Sequence, residues 1–150
     1  MQRVDTNLIM HHLSLALGDK PVKEKLRKMH PHIALPVKGK LENLLGEKFI
    51  RAIDYAKWIS NIVPISKHEK TIQVCIDFRD VNRACPKDDF PLPNIDMIVD
   101  MTVGYEIYSL MDGFSRYNHI KIAPEDQEKT AFTCAWSNYC LNVLPFGLKV

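Results

Sequence analysis

One aspartate stands where a strand-like run gives way to a turn, a position from which it could do chemistry. The run, residues 106–112, is followed directly by Gly113. Side chains alternate along a strand, so Asp112 would share a face with Tyr108 and Leu110. A carboxylate on an apolar face needs hydrogen-bond donors, a cation or water, because burying it unpaired is unfavourable. Two interpretations stay open: a turn aspartate that accepts nearby backbone N–H groups, or a ligand of Mg²⁺, which prefers carboxylate oxygens.

The elements that would position this carboxylate belong to a chain with the size and composition of one globular domain. It has 150 residues, of which 46% are hydrophobic and 25% charged, values that exclude disordered and fibrous classes. No apolar run approaches the ~18 residues of a membrane span, and residues 1–7 lack the apolar core of a signal peptide. The sequence therefore predicts an intracellular protein that does not enter a membrane. It leaves the oligomeric state undetermined.

Charge is divided unevenly along the chain. The net charge is +2, yet residues 1–75 carry 13 Lys/Arg against 7 Asp/Glu, and residues 76–150 carry 7 against 11. A basic half beside an acidic half suits a protein that contacts phosphates with one part and cations with the other. Asymmetry of this size also arises on ordinary solvated faces, so both interpretations stand.

Cysteine and histidine spacing does not indicate a metal centre. The four cysteines lack C-x-x-C spacing, which argues against a zinc site or a disulfide framework and predicts reduced, mostly buried thiols. The histidines at 11–12 and 30–32 have no cysteine or acidic partners at ligand spacing in the sequence. We expect them to be surface residues.

Hydrophobic spacing predicts an amphipathic helix from Val37, because apolar residues recur every three or four positions as far as Phe49. Residues 1–35, punctuated by prolines, are predicted to form an extended arm with one helical turn at most. Asn94 is predicted to cap a short helix, residues 95–103, that stops at Gly104.

Several short runs predict strands. Residues 61–65 are predicted to form an edge strand because Pro64 cannot donate to a ladder, and to pair with residues 72–78 as a hairpin. Strands and helices alternate without a regular βαβ repeat, so the predicted class is α+β. The other predicted extended elements are residues 49–53, 106–112, 117–122, 130–136 and 139–144.

Three longer stretches carry a resemblance to a known family. They are VCIDFRDVNRACPKDDFPLPNID (74–96), SLMDGFSRYNHIKIAPEDQEKTAF (109–132) and LPFGLK (144–149). In order and approximate spacing they resemble the reverse transcriptase domain of gypsy-type LTR retrotransposon Pol polyproteins. The resemblance implies the fingers and an incomplete palm of a right-hand polymerase, with an antiparallel sheet and flanking helices. The implied boundaries are a linker over 1–20, fingers with the start of the palm over 21–105, and a partial palm over 106–150.

The implied activity is RNA-directed DNA synthesis by a two-metal mechanism, with RNA template, DNA primer, dNTP and Mg²⁺ as partners. Family resemblance also implies a cytoplasmic virus-like particle. Asp112 matches the first catalytic aspartate, and the carbonyl of Gly113 would complete its metal contact. The amides of Ser115 and Arg116 would face the triphosphate, and Tyr117 would exclude a 2′-hydroxyl.

The same resemblance implies further contacts at both ends of the domain. Phe146 and Gly147 would pack beside the sugar of the incoming nucleotide, and Lys67 would reach the γ-phosphate. Template-binding residues would be Asp77, Arg79 and Asn82. Tyr117 and Phe146 could also be plain core aromatics, and Lys67 a solvated turn residue.

The sequence departs from the family pattern at several positions. The family's second and third catalytic carboxylates come from a Tyr-x-Asp-Asp hairpin, which these 150 residues do not contain. Gln73 stands where an arginine usually grips the triphosphate, Arg116 where Gly or Ala is common, and His119 where Gln is common. We therefore expect a catalytically incomplete polypeptide. The alternative hypothesis is a non-catalytic nucleic-acid-binding module that uses the basic half.

Overall fold

The computed structural model describes residues 9–16, 18–66, 72–86, 94–109 and 116–149, with the side chains of residues 116 and 117 outside that description. In chain order the helices are α1 (Pro31–Gly46), α2 (Arg79–Ala84), α3 (Ile95–Thr102) and α4 (Pro124–Gln127), with 3₁₀ turns at Arg116–His119 and Glu128–Thr130. The strands are β1 (Met10–His11), β2 (Ile50–Ala52), β3 (Ser60–Ser66), β4 (Ile72–Ile76), β5 (Lys121–Ile122), β6 (Phe132–Thr133) and β7 (Asn138–Leu141).

Five of these strands form one sheet in the order β2-β7-β6-β3-β4. The predicted α+β class is confirmed, and so is the predicted hairpin, which is formed by β3 and β4. Strands β6 and β7 also pair antiparallel. The sheet is mixed rather than antiparallel throughout, because β3 runs parallel to β6. A parallel pair needs a long connection, and here the chain between the two strands includes α2 and α3.

The prediction of an edge strand at 61–65 holds only for half of β3. Strand β6 pairs with Ser60 and Asn61, whereas Pro64 pairs with Val74 on the β4 side. Pro64 therefore lies outside the short pairing with β6, where its missing N–H would have cost a hydrogen bond. Proline is tolerated because, among the described strands, only β4 pairs with this half of β3, although β3 as a whole is internal.

Helix α1 confirms the predicted amphipathic helix but begins at Pro31, six residues before the predicted start. Pro31 occupies the first turn, where its missing N–H and fixed φ cost little. Pro36 lies inside the helix and removes one backbone bond. Val37 and Leu41 are buried in the core, and that burial offsets the lost bond. The prolines that favoured an extended segment up to residue 35 therefore misled the prediction at the start of α1.

The predicted extended arm packs along the rest of the molecule. Strand β1 pairs in parallel with β5, and Lys23 forms an isolated parallel bridge with Ile59. The buried carboxylate of Asp126 holds the arm at Leu13, whose N–H donates to Oδ2 over 2.9 Å. Lys129 donates to the other oxygen of Asp126 and to the Leu13 carbonyl. These contacts attach the arm to α4.

Helix α3 agrees with its predicted capping. The Asn94 side chain accepts the Asp96 N–H at 3.0 Å, and Gly104 follows the helix with φ +99°. The strand predicted at 106–112 is wrong in its described part, because residues 106–109 form no ladder and Ile107 is 89% exposed. Strand propensity acts through packing on a neighbouring strand, which this segment lacks among the described residues.

The core lies between α1, the sheet and α2. Its fully buried side chains include Val37, Val81, Ile122, Phe132 and Leu144. Within the described ranges, no helix combines the length and apolar character that crossing a bilayer requires.

Candidate functional site

A pocket of about 450 Å³ opens where β4 ends and α2 begins. It brings Asp77, Arg79 and Asn82, the residues predicted to bind template, next to Gly147. Gly147 is predicted to pack beside the sugar of the incoming nucleotide. One wall comes from the N-terminal arm and another from the turn near the C-terminus. The polar side chains that line it belong to Arg27, Asp77, Arg79 and Asn82, and Gly147 also lines it.

Asp77 lies at the base of this pocket, with its side chain 6% exposed. Its backbone N–H donates to the Asn61 carbonyl at 3.0 Å, which continues the β3–β4 pairing by one residue. Arg79 Nε donates to Oδ1 at 2.7 Å and Nη2 to Oδ2 at 2.6 Å. Arg27 Nη2 donates to Oδ2 at 3.1 Å. Two guanidinium groups therefore share one buried carboxylate.

These hydrogen bonds set the ionisation of Asp77. The side-chain bonds from Arg79 are the main cause that lowers its pKa to about 2; burial opposes them, and Arg27 adds to the lowering. The same interaction raises the pKa of Arg79. A carboxylate with this set of donors fits an ion pair rather than a Mg²⁺ ligand, because its oxygens already face cations.

Arg79 combines a fixed anchor with exposure to solvent. Its bidentate contact with Asp77 restricts the guanidinium, while the side chain remains 75% exposed. A planar, pre-oriented guanidinium of this kind suits a phosphate group. Asp77 therefore acts in this site by orienting Arg79, and Arg79 presents the charge.

Asn82 connects α2 to the turn near the C-terminus. Its Nδ2 donates to the Gly147 carbonyl at 2.8 Å, and its Oδ1 accepts the Lys149 N–H at 2.8 Å. Lys149 Nζ also donates to the Cys85 carbonyl at 2.8 Å. The amide of Asn82 therefore holds a turn in place, and its contact with template stays a prediction.

This turn exposes an aromatic side chain next to Gly147, which lines the pocket. Gly147 has φ +90°, a conformation that disfavours residues with a Cβ. Phe146, directly before it, is 80% exposed. The alternative of a plain core aromatic is therefore wrong for Phe146. Its predicted role beside a nucleotide sugar stays a prediction.

The other predicted site residues cannot be placed with this pocket. Asp112, Gly113, Ser115 and Lys67 lie outside the described residues. Arg116 and Tyr117 begin a 3₁₀ turn, and only their backbone is described. The fit of Mg²⁺ to Asp112 and Gly113 therefore stays a prediction. Gln73, at the position of the family arginine, is exposed on β4.

Sequence reasoning missed Arg27, which lines the pocket, and Asn61, which accepts the Arg27 N–H. Arg27 lies in the half of the chain with excess positive charge, yet nothing local separates that arginine from the lysines beside it. Its partners lie 34 and 50 residues away in the chain, at Asn61 and Asp77. Such contacts leave no periodic signal in a single sequence.

A second pocket, of about 510 Å³, lies at the β6–β7 turn. Asp54, Tyr55, Trp136 and Asn138 contribute to its lining, and Tyr55 is 90% exposed. None of the predicted site residues belongs to it. It therefore offers an internal reference surface for binding experiments.

The chain is similar to parts of larger viral and retrotransposon polyproteins. No protein-family model matches the chain. The Pol polyprotein from transposon 412 of Drosophila melanogaster, described as retrovirus-related, is 27% identical over 96% of this chain and 12% of its own length. The enzymatic polyprotein of cauliflower mosaic virus (strain Strasbourg) is 28% identical over 91% of this chain and 21% of its own length. The chain thus spans a small part of both relatives.

Solved structures share the fold. The native prototype foamy virus protease-reverse transcriptase superposes with a TM-score of 0.75 and 22% identity, over 98% of this chain and 19% of that one. The foamy viral enzyme in complex with double-stranded DNA gives a TM-score of 0.69 and 16% identity, over 98% of this chain and 24% of that one. By sequence the chain is similar to a part of Pol and enzymatic polyproteins, and by fold it is similar to a part of the foamy viral protease-reverse transcriptase.

Proposed function

We propose that this chain forms the fingers and the first part of the palm of an RNA-directed DNA polymerase of a gypsy-type retrotransposon. The fingers comprise residues 21–105 and the partial palm residues 106–150, after a linker over 1–20. One observation carries the proposal: similarity to Pol and enzymatic polyproteins extends over nearly the whole chain, and the same residues share the fold of a reverse transcriptase.

The pocket supplies the binding part of this function. Arg79, oriented by Asp77, contacts a phosphate of the RNA template and holds its register without reading its sequence. Asn82 fixes the turn that places Phe146 and Gly147 beside the sugar of the incoming dNTP. Tyr117 fills the space that a 2′-hydroxyl would occupy.

The palm residues supply the chemical part. Asp112 and the carbonyl of Gly113 would hold Mg²⁺, which would stabilise charge on the transferring phosphates and activate the primer 3′-hydroxyl. The amides of Ser115 and Arg116 donate to the triphosphate, and Lys67 reaches its γ-phosphate. Nucleotide addition requires carboxylates besides Asp112, so we expect the 150-residue polypeptide to bind primed template without extending it.

Fluorescence anisotropy on a primed RNA template, measured over a salt series, tests the binding part. We expect log affinity to fall linearly with log salt, and Arg79→Gln to reduce that slope by about 0.7–1. Arg83→Gln is the matched control, because Arg83 lies on the same helix, is 81% exposed and pairs with Asp80 instead. Absence of salt-dependent binding, or equal losses in both variants, would refute the proposal.

Primer extension with Mg²⁺ and dNTPs tests the chemical part. We expect no incorporation by the wild-type chain. Incorporation that disappears in Asp112→Ala would contradict the expected catalytic incompleteness while supporting the assignment of Asp112.

A further inference from the structure

A histidine of the N-terminal arm meets two carboxylates of α4. His12 Nδ1 lies 3.6 Å from Glu125 Oε1 and 3.7 Å from Asp126 Oδ2. These three potential ligand atoms all lie within 4.8 Å of one another. Sequence spacing could not predict this group, because the histidine and the carboxylates lie near opposite ends of the chain.

The two separations suit a shared metal ion better than direct hydrogen bonds. An N–H···O bond spans about 2.7–3.2 Å, which is shorter than either distance. Zn²⁺ binds His nitrogen and carboxylate oxygen at about 2.0–2.2 Å, so two ligand atoms of a tetrahedral site lie about 3.4 Å apart. Mg²⁺ fits less well, because its octahedral shell sets neighbouring ligands about 2.9 Å apart and it prefers oxygen atoms.

Backbone hydrogen bonds fix His12 beside the carboxylates. The Ala123 N–H donates to the His11 carbonyl at 2.9 Å, and the Leu13 N–H donates to Asp126 Oδ2 at 2.9 Å. The peptide groups on both sides of His12 are therefore attached to the segment that carries the carboxylates. A metal ion would find this part of the backbone already in place.

The Asp126 carboxylate is buried and oriented by two donors. Asp126 is 4% exposed. Its Oδ1 accepts a hydrogen bond from Lys129 Nζ and its Oδ2 accepts the Leu13 N–H. A carboxylate oxygen has two lone pairs, so Oδ2 keeps one for a metal ion, and outer hydrogen bonds of this kind orient metal ligands. The side chains of His12 and Glu125 are 61% and 67% exposed, so an ion can reach the group from solvent.

We infer that His12, Glu125 and Asp126 bind one Zn²⁺ ion, with water in the fourth position, and that the ion joins the arm to α4. Three protein ligands and one water satisfy the tetrahedral preference of Zn²⁺. Because the ligands come from two distant segments, a bound ion stabilises the arm in its folded position. The inference is independent of the proposed function and of the Mg²⁺ that Asp112 would hold.

Titration of the metal-free 150-residue protein with Co²⁺, followed by displacement with Zn²⁺, tests the site. Tetrahedral Co²⁺ bound by nitrogen and oxygen gives visible d–d bands, and thiolate ligands add charge-transfer absorption in the near ultraviolet. We expect one ion per chain and d–d bands without thiolate absorption. Zn²⁺ should displace the Co²⁺ completely, and Mg²⁺ at the same concentration should not.

Two single variants assign the ligands. His12→Ala and Glu125→Gln should each weaken Zn²⁺ binding by about 100-fold or more, since loss of an outer hydrogen-bond partner alone costs about 10–100-fold. Both side chains are exposed, so both variants should fold, which circular dichroism checks. The matched control combines His30→Ala with His32→Ala, at two exposed histidines whose Nδ1 atoms lie 2.5 Å apart. This control should bind Zn²⁺ as wild type does.

Hydrogen exchange tests whether the ion joins the two segments. Saturating Zn²⁺ should slow exchange at the amides of Leu13 and Ala123 in wild type and leave Glu125→Gln unchanged. Absence of binding by wild type, thiolate absorption, wild-type affinity in either single variant, or lost affinity in the control would overturn the inference. Saturation without added protection of these amides would overturn it as well.

Discussion

At the scale of single residues, Asp77 determines the electrostatics of the pocket. Its carboxylate receives hydrogen bonds from Arg79 and Arg27 while its side chain is almost fully buried. Removing the charge leaves two guanidinium groups without their shared anchor. Arg79 is exposed and can be hydrated, which limits the energetic cost.

Asp77→Asn should lower the free energy of unfolding at pH 7 by about 1–2 kcal/mol. The pKa of Asp77 is lowered in the folded state, to about 2 from 3.8, so its stabilisation is present above pH 3.8 and is lost as the pH falls toward 2. Urea unfolding at pH 7 and near pH 2 measures both effects. Asp54→Asn, at an exposed carboxylate, is the control, and a gap from wild type that persists at pH 2 would contradict this account.

At the scale of elements, the arm and β3 behave as one unit because of Asn61. Truncating this side chain leaves the Arg27 N–H and the Lys25 carbonyl without their partner. Lost hydrogen bonds from a buried amide are costly because the remaining partners stay partly desolvated.

Asn61→Ala should destabilise the protein by roughly 2–3 kcal/mol and release the arm. Hydrogen exchange should accelerate at the amides of Glu24 and Arg27 more than at those of β4. Asn43→Ala, on an exposed face of α1, should leave both measurements nearly unchanged. Protection of the arm amides that survives Asn61→Ala would show that other contacts hold the arm.

The helices and strands also show which parts of the fold could be predicted from the sequence. Local chemistry was sufficient for α3, where Asn94 caps the first turn and Gly104 follows the last. Local chemistry was not sufficient where contacts between distant residues determine the structure. Burial of Val37 and Leu41 extends α1 across Pro36. Residues 106–109 find no strand partner among the described residues. The sequence alone could not show that Arg27 and Asp77 meet, because 50 residues separate them.

At the scale of the whole molecule, the fold assembles one surface from three segments that are distant in the chain: the arm, the β4–α2 stretch and the last turn. The arm contributes Arg27, the end of β4 contributes Asp77, α2 contributes Arg79 and Asn82, and the last turn contributes Gly147. Asp77, Arg79 and Asn82 lie in one stretch that resembles reverse transcriptases, residues 74–96, and Gly147 lies in another, residues 144–149. The central claim is that this pocket, rather than any other surface, receives the template and nucleotide.

Chemical-shift mapping tests that claim most directly. The ¹⁵N-labelled 150-residue protein is titrated with a primed RNA template carrying a 5′ overhang, and backbone amide shifts are followed. We predict the largest shifts at Arg79, Asn82 and Gly147. Shifts concentrated instead at Asp54 and Trp136, with those three amides unmoved, would contradict the account.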